Sequence, residues 1–402
     1  MRFSVDGWDP SYGASLATEA ELAESTARVE VDVELPADRW RPVDPVPGDP
    51  LPEALLFVDG VRRVEARLWI DGPAPDSAPA GSAPAGRTGP GGIPAAGPQG
   101  GSWGAEPTAA LCASYAAGVV CCCAAGAHLV VTELRHGLFS VAPHASDIVT
   151  WAGAYAAHRS TSRRAGVPVM KTLSDALQDE LGKVEVIAAA SARAAVPTHA
   201  TDTAHAADSD SDLLIVDGQL RGREHLPRAL GYIKSHDATY LPPGLNPLVG
   251  ALAPGQRTPA FLIGTKWERY SWYLRLPGPA GSPWAGVVRV ECAANLSAGE
   301  VTRLAGLSQR CLGRFASSPY KDSRAPQNLY PIAGLERELR RRLGDPRLLY
   351  RALREAARPA PRRPRPPGTP PLCREAASPL LGDGKYFEVL FRRLPPRDGP
   401  VR

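Results

Sequence analysis

The sequence predicts an α/β fold in which a mixed β-sheet is flanked by helices and interrupted by disordered insertions. Runs of large apolar and β-branched residues, typical of strands, precede and follow a segment with helical periodicity. Hydrophobic residues make up 44% of the 402 residues, enough for a substantial core. The net charge of +4 excludes a protein that coats nucleic acid through a uniformly basic surface.

The first half of the chain predicts strands followed by a long helix. Strands are expected at 54–59 and 62–71, which flank an Asp-Gly pair as two antiparallel strands would, and at 111–123 and 128–141. Residues 146–160 carry apolar residues at helical spacing. Residues 171–195 predict a helix, because four apolar residues form one stripe. These are Leu173, Leu177, Leu181 and Val184.

The second half begins with a fully apolar strand at 212–218, the pattern of a central strand covered on both faces. Further strand-like runs and two helical segments follow it. The strand-like runs are 226–235, 258–266, 270–276 and 286–293, and the helical segments are 297–316 and 332–357. This order suits a sheet of the ribonuclease H type, in which the first strand lies beside the later central strand.

Composition divides the chain into one domain and a tail. Residues 1–355 are predicted to form the domain, with Pro/Gly/Ala-rich or acidic insertions at 73–108 and 196–212 that cannot bury enough apolar surface to order themselves. Residues 356–402 read as a basic, Pro-rich linker and C-terminal tail.

The sequence predicts a cytoplasmic protein. Its seven cysteines form no CxxC pair and have no histidine at zinc-ligand spacing, which favours reduced, buried thiols. The N-terminal residues lack an apolar signal-peptide core, and no run approaches the length of a membrane helix. Six lysines against forty arginines indicate a GC-rich genome, so a retained lysine carries extra weight.

Two similar stretches, LLFVDG at 55–60 and LLIVDG at 213–218, each end in aspartate and glycine. If the two strands are neighbours, Asp59 and Asp217 lie close together at one sheet edge, where they repel unless a cation separates them. Mg²⁺ and Mn²⁺ prefer such oxygen ligands. Many nucleases use a pair of such metal ions to stabilise the attacking and leaving oxygens of a phosphoryl group. The alternative is that each Asp-Gly pair only ends a strand.

A third acid and a lysine are expected to join these aspartates. Glu185 is the first choice from the long helix and Glu180 the second; the alternative is that both are solvated. Lys234 follows a strand-like run and is suited to hold a phosphate as a point charge, or else is simply solvated.

The stretch GTKWERYSWYLRL interleaves aromatic and basic side chains. Lys266, Arg269, Tyr270 and Trp272 are therefore candidates for a single-stranded nucleic-acid path, where bases stack and phosphates are neutralised. The alternative is that the aromatic residues belong to the core. The chain has no phosphate-binding P-loop and no GxSxG nucleophile elbow.

The pieces FVDGVRRVEAR, IVDGQL, GYIKS, VVRVE and RAPQNLYPIAGLERELRRRLGD together resemble the NurA family of DNA-repair nucleases, as a diverged GC-rich bacterial branch. The resemblance covers roughly residues 50–350. It implies a ribonuclease H-like domain with Mn²⁺- or Mg²⁺-dependent exo- and endonuclease action on DNA. It also implies a homodimer that works with a hexameric HerA-type ATPase in processing double-strand breaks, and so a nucleoid-associated location.

Carried over by position, Asp59 and Asp217 match the two metal-binding aspartates, Glu185 the helix glutamate, and Lys234 the family lysine. Arg289 lies in the R-x-E element, together with Glu291, and is counted with the nucleic-acid-binding residues.

The sequence departs from the family at one ligand. Archaeal members place a histidine after the Tyr-Pro element, whereas no histidine follows His236 in this chain. Glu336 is expected to take that place as a metal ligand, with Glu338 as the alternative. Loss of the ligand leads to a second reading, in which the chain is a non-catalytic DNA-binding adaptor of the same fold that docks an ATPase.

Overall fold

The computed structural model describes residues 23–47, 50–71, 107–160, 166–195, 212–278 and 281–358. Nearly all of the two predicted insertions and of the predicted linker and tail lies outside these ranges. Within them, no helix combines the length with the apolar character that crossing a bilayer requires.

The described residues form a large mixed sheet of eleven strands and a separate two-stranded ladder of β1 with β10. The strands are β1 Ala23–Glu24, β2 Arg28–Glu30, β3 Ala54–Ile70, β4 Thr108–Cys123, β5 Gly126–Ser140, β6 Ile148–Thr150, β7 Gly153–Arg159, β8 Asp212–Asp217, β9 Ala229–Ile233, β10 Ala238–Thr239, β11 Phe261–Gly264, β12 Glu268–Arg275 and β13 Val287–Ala293.

Helices cover both faces of this sheet. They are α1 Val169–Ala195, α2 Pro247–Ala251, α3 Ala298–Leu312, α4 Tyr330–Arg342 and α5 Pro346–Ala356. The last helical segment predicted from the sequence is divided into α4 and α5, because Gly344 takes a φ of 79° and Asp345 caps the helix that begins at Pro346.

The strand order is β2-β11-β12-β13-β9-β8-β3-β4-β5-β7-β6. At its centre, β3 pairs parallel with β8, and β8 pairs parallel with β9, whereas β3, β4 and β5 form an antiparallel meander. The prediction that the first long strand lies beside the later central strand is therefore confirmed.

The predicted hairpin around Asp59 and Gly60 was wrong. β3 is one strand of 17 residues that runs straight through this pair, and its partner β4 stays in register from Cys123 to Thr108 apart from one bulge near Val64. An Asp-Gly pair can form a turn, but the long pairing with β4 keeps it extended.

The helical periodicity at 146–160 was also misleading. This segment forms β6 and β7, and β7 pairs parallel with β5 near one end of the sheet. Gly153, with a φ of 153°, follows the turn between the two strands. Pairing with β5 has overridden the local helical pattern in this short segment.

Side chains along the central strands alternate between two apolar layers. Leu56 and Val58 of β3 pack with α1, whereas Leu55 and Phe57 pack in the layer that holds α3 and the start of α4. Because successive side chains point to opposite faces, the position of each functional residue in its strand decides which helix it meets.

Candidate metal centre

Three adjacent strands bring polar side chains to one face of the sheet. Val58 pairs with Val216, so the next residues, Asp59 and Asp217, lie side by side. Asp59 lies two residues after Phe57, and Asp217 two residues after Ile215. Because side chains alternate along a strand, both carboxylates point to the same face as Phe57 and Ile215, the face covered by α3 and α4. Lys234, two residues after the buried Tyr232 of β9, reaches the same place and donates to Asp217 Oδ2 at 2.6 Å.

The two aspartates differ in their backbone setting. β8 ends at Asp217, and Gly218 turns the chain away with a φ of 103° that favours glycine. Asp59 does not end its strand, since β3 continues for eleven residues to Ile70. The prediction that both acids lie at strand ends is therefore correct for Asp217 and wrong for Asp59.

Helix α4 adds a third carboxylate. Its residues Leu335 and Leu339 pack on Val61 of β3, which directs the neighbouring Glu336 towards the two aspartates. Oxygens of Asp59, Asp217 and Glu336 all lie within 4.8 Å of one another. The three acids come from two strands and a helix far apart in sequence.

Asp59 is the most buried member of this group. It is 7% exposed, and its Oδ1 accepts a hydrogen bond from the amide of Gly60 at 2.7 Å. Burial raises the pKa of Asp59 well above its ordinary value; Asp217 and more weakly Glu336 and Glu185 raise it further, whereas Lys234 lowers it. Oδ2 of Asp59 is buried without a hydrogen-bond partner among the described residues.

Basic side chains neutralise the other two carboxylates. Lys234 bridges Asp217 to the buried Asn328, whose Oδ1 accepts from the lysine at 3.0 Å. Arg324 donates to Glu336 Oε2 at 2.6 Å. Asn328 and Arg324 belong to the loop before α4, so this loop holds one side of the site.

The donor set fits a hard divalent cation. Three carboxylates from separate elements converge, and an unpartnered buried oxygen of Asp59 lies among them. Mg²⁺ and Mn²⁺ bind such oxygens, and a cation would remove both the repulsion between the acids and the cost of burying Asp59. Lys234 and Arg324 supply part of that positive charge in this structure.

Glu185 does not join the three acids, contrary to the prediction that it is a metal ligand. It lies on α1, which packs on the opposite face of the sheet, and a Cβ built on Gly60 would lie only 2.5 Å from Glu185 Oε1. Its carboxylate is paired with Arg223. Burial raises the pKa of Glu185 to about 7; Arg223 opposes this, and Asp217 adds to it.

The two alternative acids are half-buried and held in ion pairs away from the three acids. Glu180 pairs with Lys183 at 2.6 Å, and Glu338 pairs with Arg341 and Arg342 at 2.9 Å and 2.8 Å. Neither belongs to the group of three. Of the two glutamates on α4, Glu336 is the one beside the aspartates.

Glu291 of the R-x-E element supports the site through the chain that follows Asp217. It is fully buried, pairs with Arg289 at 2.8 Å and with Arg269 at 3.3 Å, and accepts the amide of Leu220 at 2.7 Å. Leu220 lies three residues after Asp217, so Glu291 fixes the path by which the chain leaves the second aspartate.

The predicted nucleic-acid path along β12 is mostly internal. Trp272 is fully buried, and its indole N–H donates to Ser308 at 3.0 Å. Arg269 and Arg289 are 3% and 2% exposed and are held by Glu291. Tyr270 is half-buried against the core, and Lys266 is exposed. Trp272 and the two arginines thus have no surface to offer a base or a phosphate.

A pocket of about 510 Å³ beside α4 has Glu336, one of the three acids, in its lining. Four basic side chains line it, against two acids. Its lining residues are Lys321, Asp322, Ser323, Arg324, Tyr330, Ala333, Glu336, Arg337 and Arg340. Glu336 belongs to both the pocket and the carboxylate group.

Exposed aromatic rings accompany these cations. Lys321 Nζ lies 5.4 Å from the ring centre of Tyr320 and 5.5 Å from that of Tyr330, and the two tyrosines are 81% and 38% exposed. Cationic and aromatic groups together suit a single-stranded nucleic acid. The combination sought in β12 is present at α4.

The sequence did not predict Arg223, which pairs with Glu185 on the opposite face of the sheet, or Arg324 and Asn328, which hold Glu336 and Lys234 of the site. A weak signal for the last two is the polar loop RAPQN immediately before α4. Arg223 carries no such signal, because the turn after β8 that brings it to Glu185 becomes visible only in the folded chain.

No family model matches the sequence, and no curated protein matches it. The NurA nuclease from Sulfolobus solfataricus is a solved structure to which this chain has a distant likeness. The two share 9% sequence identity, with a TM-score of 0.39 over 79% of this chain and 88% of that one.

Proposed function

We propose that this chain is a divalent-metal-dependent nuclease that hydrolyses phosphodiester bonds in DNA. The observation that carries the proposal is the convergence of Asp59, Asp217 and Glu336 around a buried, unpartnered carboxylate oxygen. Mn²⁺ or Mg²⁺ is the cofactor that this donor set favours.

Asp59, Asp217 and Glu336 would hold the cation. When bound there, it supplies charge neutralisation at the phosphoryl group and activation of water. Lys234 lies beside the acids and has the charge to contact a phosphate oxygen once a cation replaces it at Asp217. Glu291 is a positioning residue, because it acts through the loop that follows Asp217.

The basic pocket gives this activity a path for its substrate. Arg337 and Arg340 are exposed on α4 within the pocket, and the exposed Lys321 lines it as well. We propose that the DNA backbone binds these cations and that Tyr320 and Tyr330 stack on its bases. This path replaces the one predicted along β12.

The first test is cleavage of labelled single- and double-stranded DNA with Mn²⁺, with Mg²⁺ and with EDTA. We expect cleavage with either cation, none with EDTA, and loss of cleavage in Asp59→Asn and Asp217→Asn with the thermal unfolding transition retained. Full activity of either variant would contradict the proposal.

The substrate path is tested with two double variants of equal charge. Arg337→Ala with Arg340→Ala removes two pocket cations, whereas Arg341→Ala with Arg351→Ala removes two exposed arginines that pair with Glu338 and Glu355. We expect the first pair to weaken DNA binding by about tenfold at low salt and to reduce its salt dependence. Equal effects of the two pairs would exclude the pocket as the path.

One observation favours the alternative, a non-catalytic DNA-binding adaptor. Lys234 and Arg324 already neutralise two of the three carboxylates, as in a site that needs no cation. Calorimetric titration with Mn²⁺ separates the two functions. DNA binding without Mn²⁺ binding would favour the adaptor, and saturable Mn²⁺ binding that Asp59→Asn abolishes would favour the nuclease.

The finer expectations rest on the sequence resemblance. We propose a ribonuclease H-like core and a homodimer that works with a HerA-type ATPase on broken DNA ends in the cytoplasm, near the nucleoid. Co-elution of the chain with such an ATPase in size-exclusion chromatography tests the partnership, and separate elution at micromolar concentrations would count against it.

A further inference from the structure

A second group of metal-ligating side chains lies at the end of the β4–β5 hairpin. Cys121 and Cys123 are two residues apart in β4 and therefore point to the same face of the sheet. His128 of β5 pairs directly with Cys121 across the hairpin, so its side chain points to that face as well.

The hairpin fixes this arrangement. Cys123 pairs with Gly126 across a two-residue turn, and Gly126 takes a φ of 103°. The Sγ atoms of Cys121 and Cys123 and a ring nitrogen of His128 all lie within 4.8 Å of one another. Because the three ligand atoms already lie this close together, only small side-chain movements would let all three contact one ion.

The group differs from the carboxylate site in place and chemistry. Cys121 and Cys123 lie in the layer beneath α1, whereas Asp59 and Asp217 face α4. Thiolate and imidazole ligands select Zn²⁺ over Mg²⁺ or Mn²⁺. A disulfide is not an equivalent reading, because residues two apart in an extended strand have Cα atoms roughly 6.6 Å apart, near the upper limit for that bond.

We propose that Cys121, Cys123 and His128 bind one Zn²⁺ ion. Cys121 is 1% exposed, Cys123 is half-buried and His128 is exposed, so the ion has its buried side against the core and a fourth position open to solvent. Binding releases the two thiol protons as the thiolates coordinate the metal. The ion ties the end of β4 to the start of β5.

The test uses the full-length chain, reduced, stripped with a chelator and desalted. Titration with Co²⁺ is expected to give a thiolate-to-cobalt charge-transfer band that saturates at one ion per chain, and Zn²⁺ is expected to displace it. Carboxylates cannot produce this band, so the result is independent of the proposed nuclease site.

Two variants localise the site. His128→Asn, an exposed change that preserves the fold, should weaken Zn²⁺ binding by at least about tenfold and abolish the rise in unfolding temperature that Zn²⁺ gives the wild type. Cys122→Ser changes the neighbouring cysteine, which packs on the opposite face, and should leave the cobalt band intact. Absence of the band in the wild type, or unchanged binding in His128→Asn, would overturn the proposal.

Discussion

Asp59 and Asp217 lie side by side on two parallel strands, one residue beyond the paired Val58 and Val216. Their carboxylates share one face of the sheet with Lys234, and Glu336 closes the group from α4. Parallel pairing of β3 and β8 thus turns two similar stretches, 158 residues apart in sequence, into neighbouring ligands.

This relationship predicts that Mn²⁺ binding releases a proton. The pKa of Asp59 is raised well above its ordinary value, chiefly by burial and then by Asp217, so Asp59 holds a proton more tightly in the folded chain. A cation needs the ionised carboxylate, and Mn²⁺ affinity should therefore rise with pH.

Calorimetry in buffers of different ionisation enthalpy measures the released proton. Asp59→Asn should remove both the proton release and most of the affinity, whereas Asp237→Asn, which removes an exposed acid, should change neither. Proton release of equal size in wild type and Asp59→Asn would assign it to another group.

The sequence identified the residues of this site better than their surroundings. Asp59 and Asp217 were found because an apolar run followed by Asp-Gly is a local pattern, and Lys234 because lysine is rare in this chain. Glu185 was assigned to the wrong site because the apolar periodicity of residues 171–195 shows that it lies on a helix, but not which face of the sheet that helix covers. Arg324 and Asn328 were missed because their contacts with Glu336 and Lys234 depend on tertiary packing.

The same limit applies to β12 and to the cysteines. Alternating aromatic and basic residues fit both an exposed path and a buried layer, and here Trp272 and Arg269 are buried. No classical zinc spacing links Cys121 to His128, yet a two-residue turn after Cys123 places them opposite each other. The turn's length is readable from the sequence only once the two strands are assumed to pair.

Glu185 predicts a pH-dependent contribution to stability. Its folded pKa of about 7 lies above the ordinary 4.5 because of burial, which Arg223 only partly offsets. A raised pKa in an acid means that its stabilising contribution is complete below pH 4.5 and is lost as the pH rises through 7. This shift in pKa corresponds to a decrease of about 3 kcal/mol in the free energy of unfolding once Glu185 is ionised.

Glu185→Gln should therefore be close to wild type in unfolding free energy near pH 4.5 and more stable than wild type above pH 7. Denaturant unfolding across this range measures the difference. Glu180→Gln on the same helix removes a partly exposed ion pair with Lys183 and should shift stability little at any pH. A constant difference between Glu185→Gln and wild type across the range would contradict the assignment.

Gly118 predicts a link between sheet packing and metal binding. It lies in β4, pairs with Asp59 of β3, and lies under α4, where an added Cβ would be 2.9 Å from the carbonyl oxygen of Val131 and 3.1 Å from Leu335 Cδ1. Gly118→Ala should push α4 outward and lower the free energy of unfolding by about 1–3 kcal/mol. Because α4 carries Glu336, Mn²⁺ affinity should fall as well.

Gly334→Ala is the matched control, since it makes the same change within α4 itself. An added Cβ there meets no atom within 4 Å, so the variant should gain about 0.5–1 kcal/mol from helix propensity. Its Mn²⁺ affinity should equal that of the wild type. Loss of affinity in Gly118→Ala but not in Gly334→Ala would show that the close approach of α4 to β4 sets the distance between Glu336 and the two aspartates, whereas unchanged affinity in both would mean that Glu336 is not a ligand.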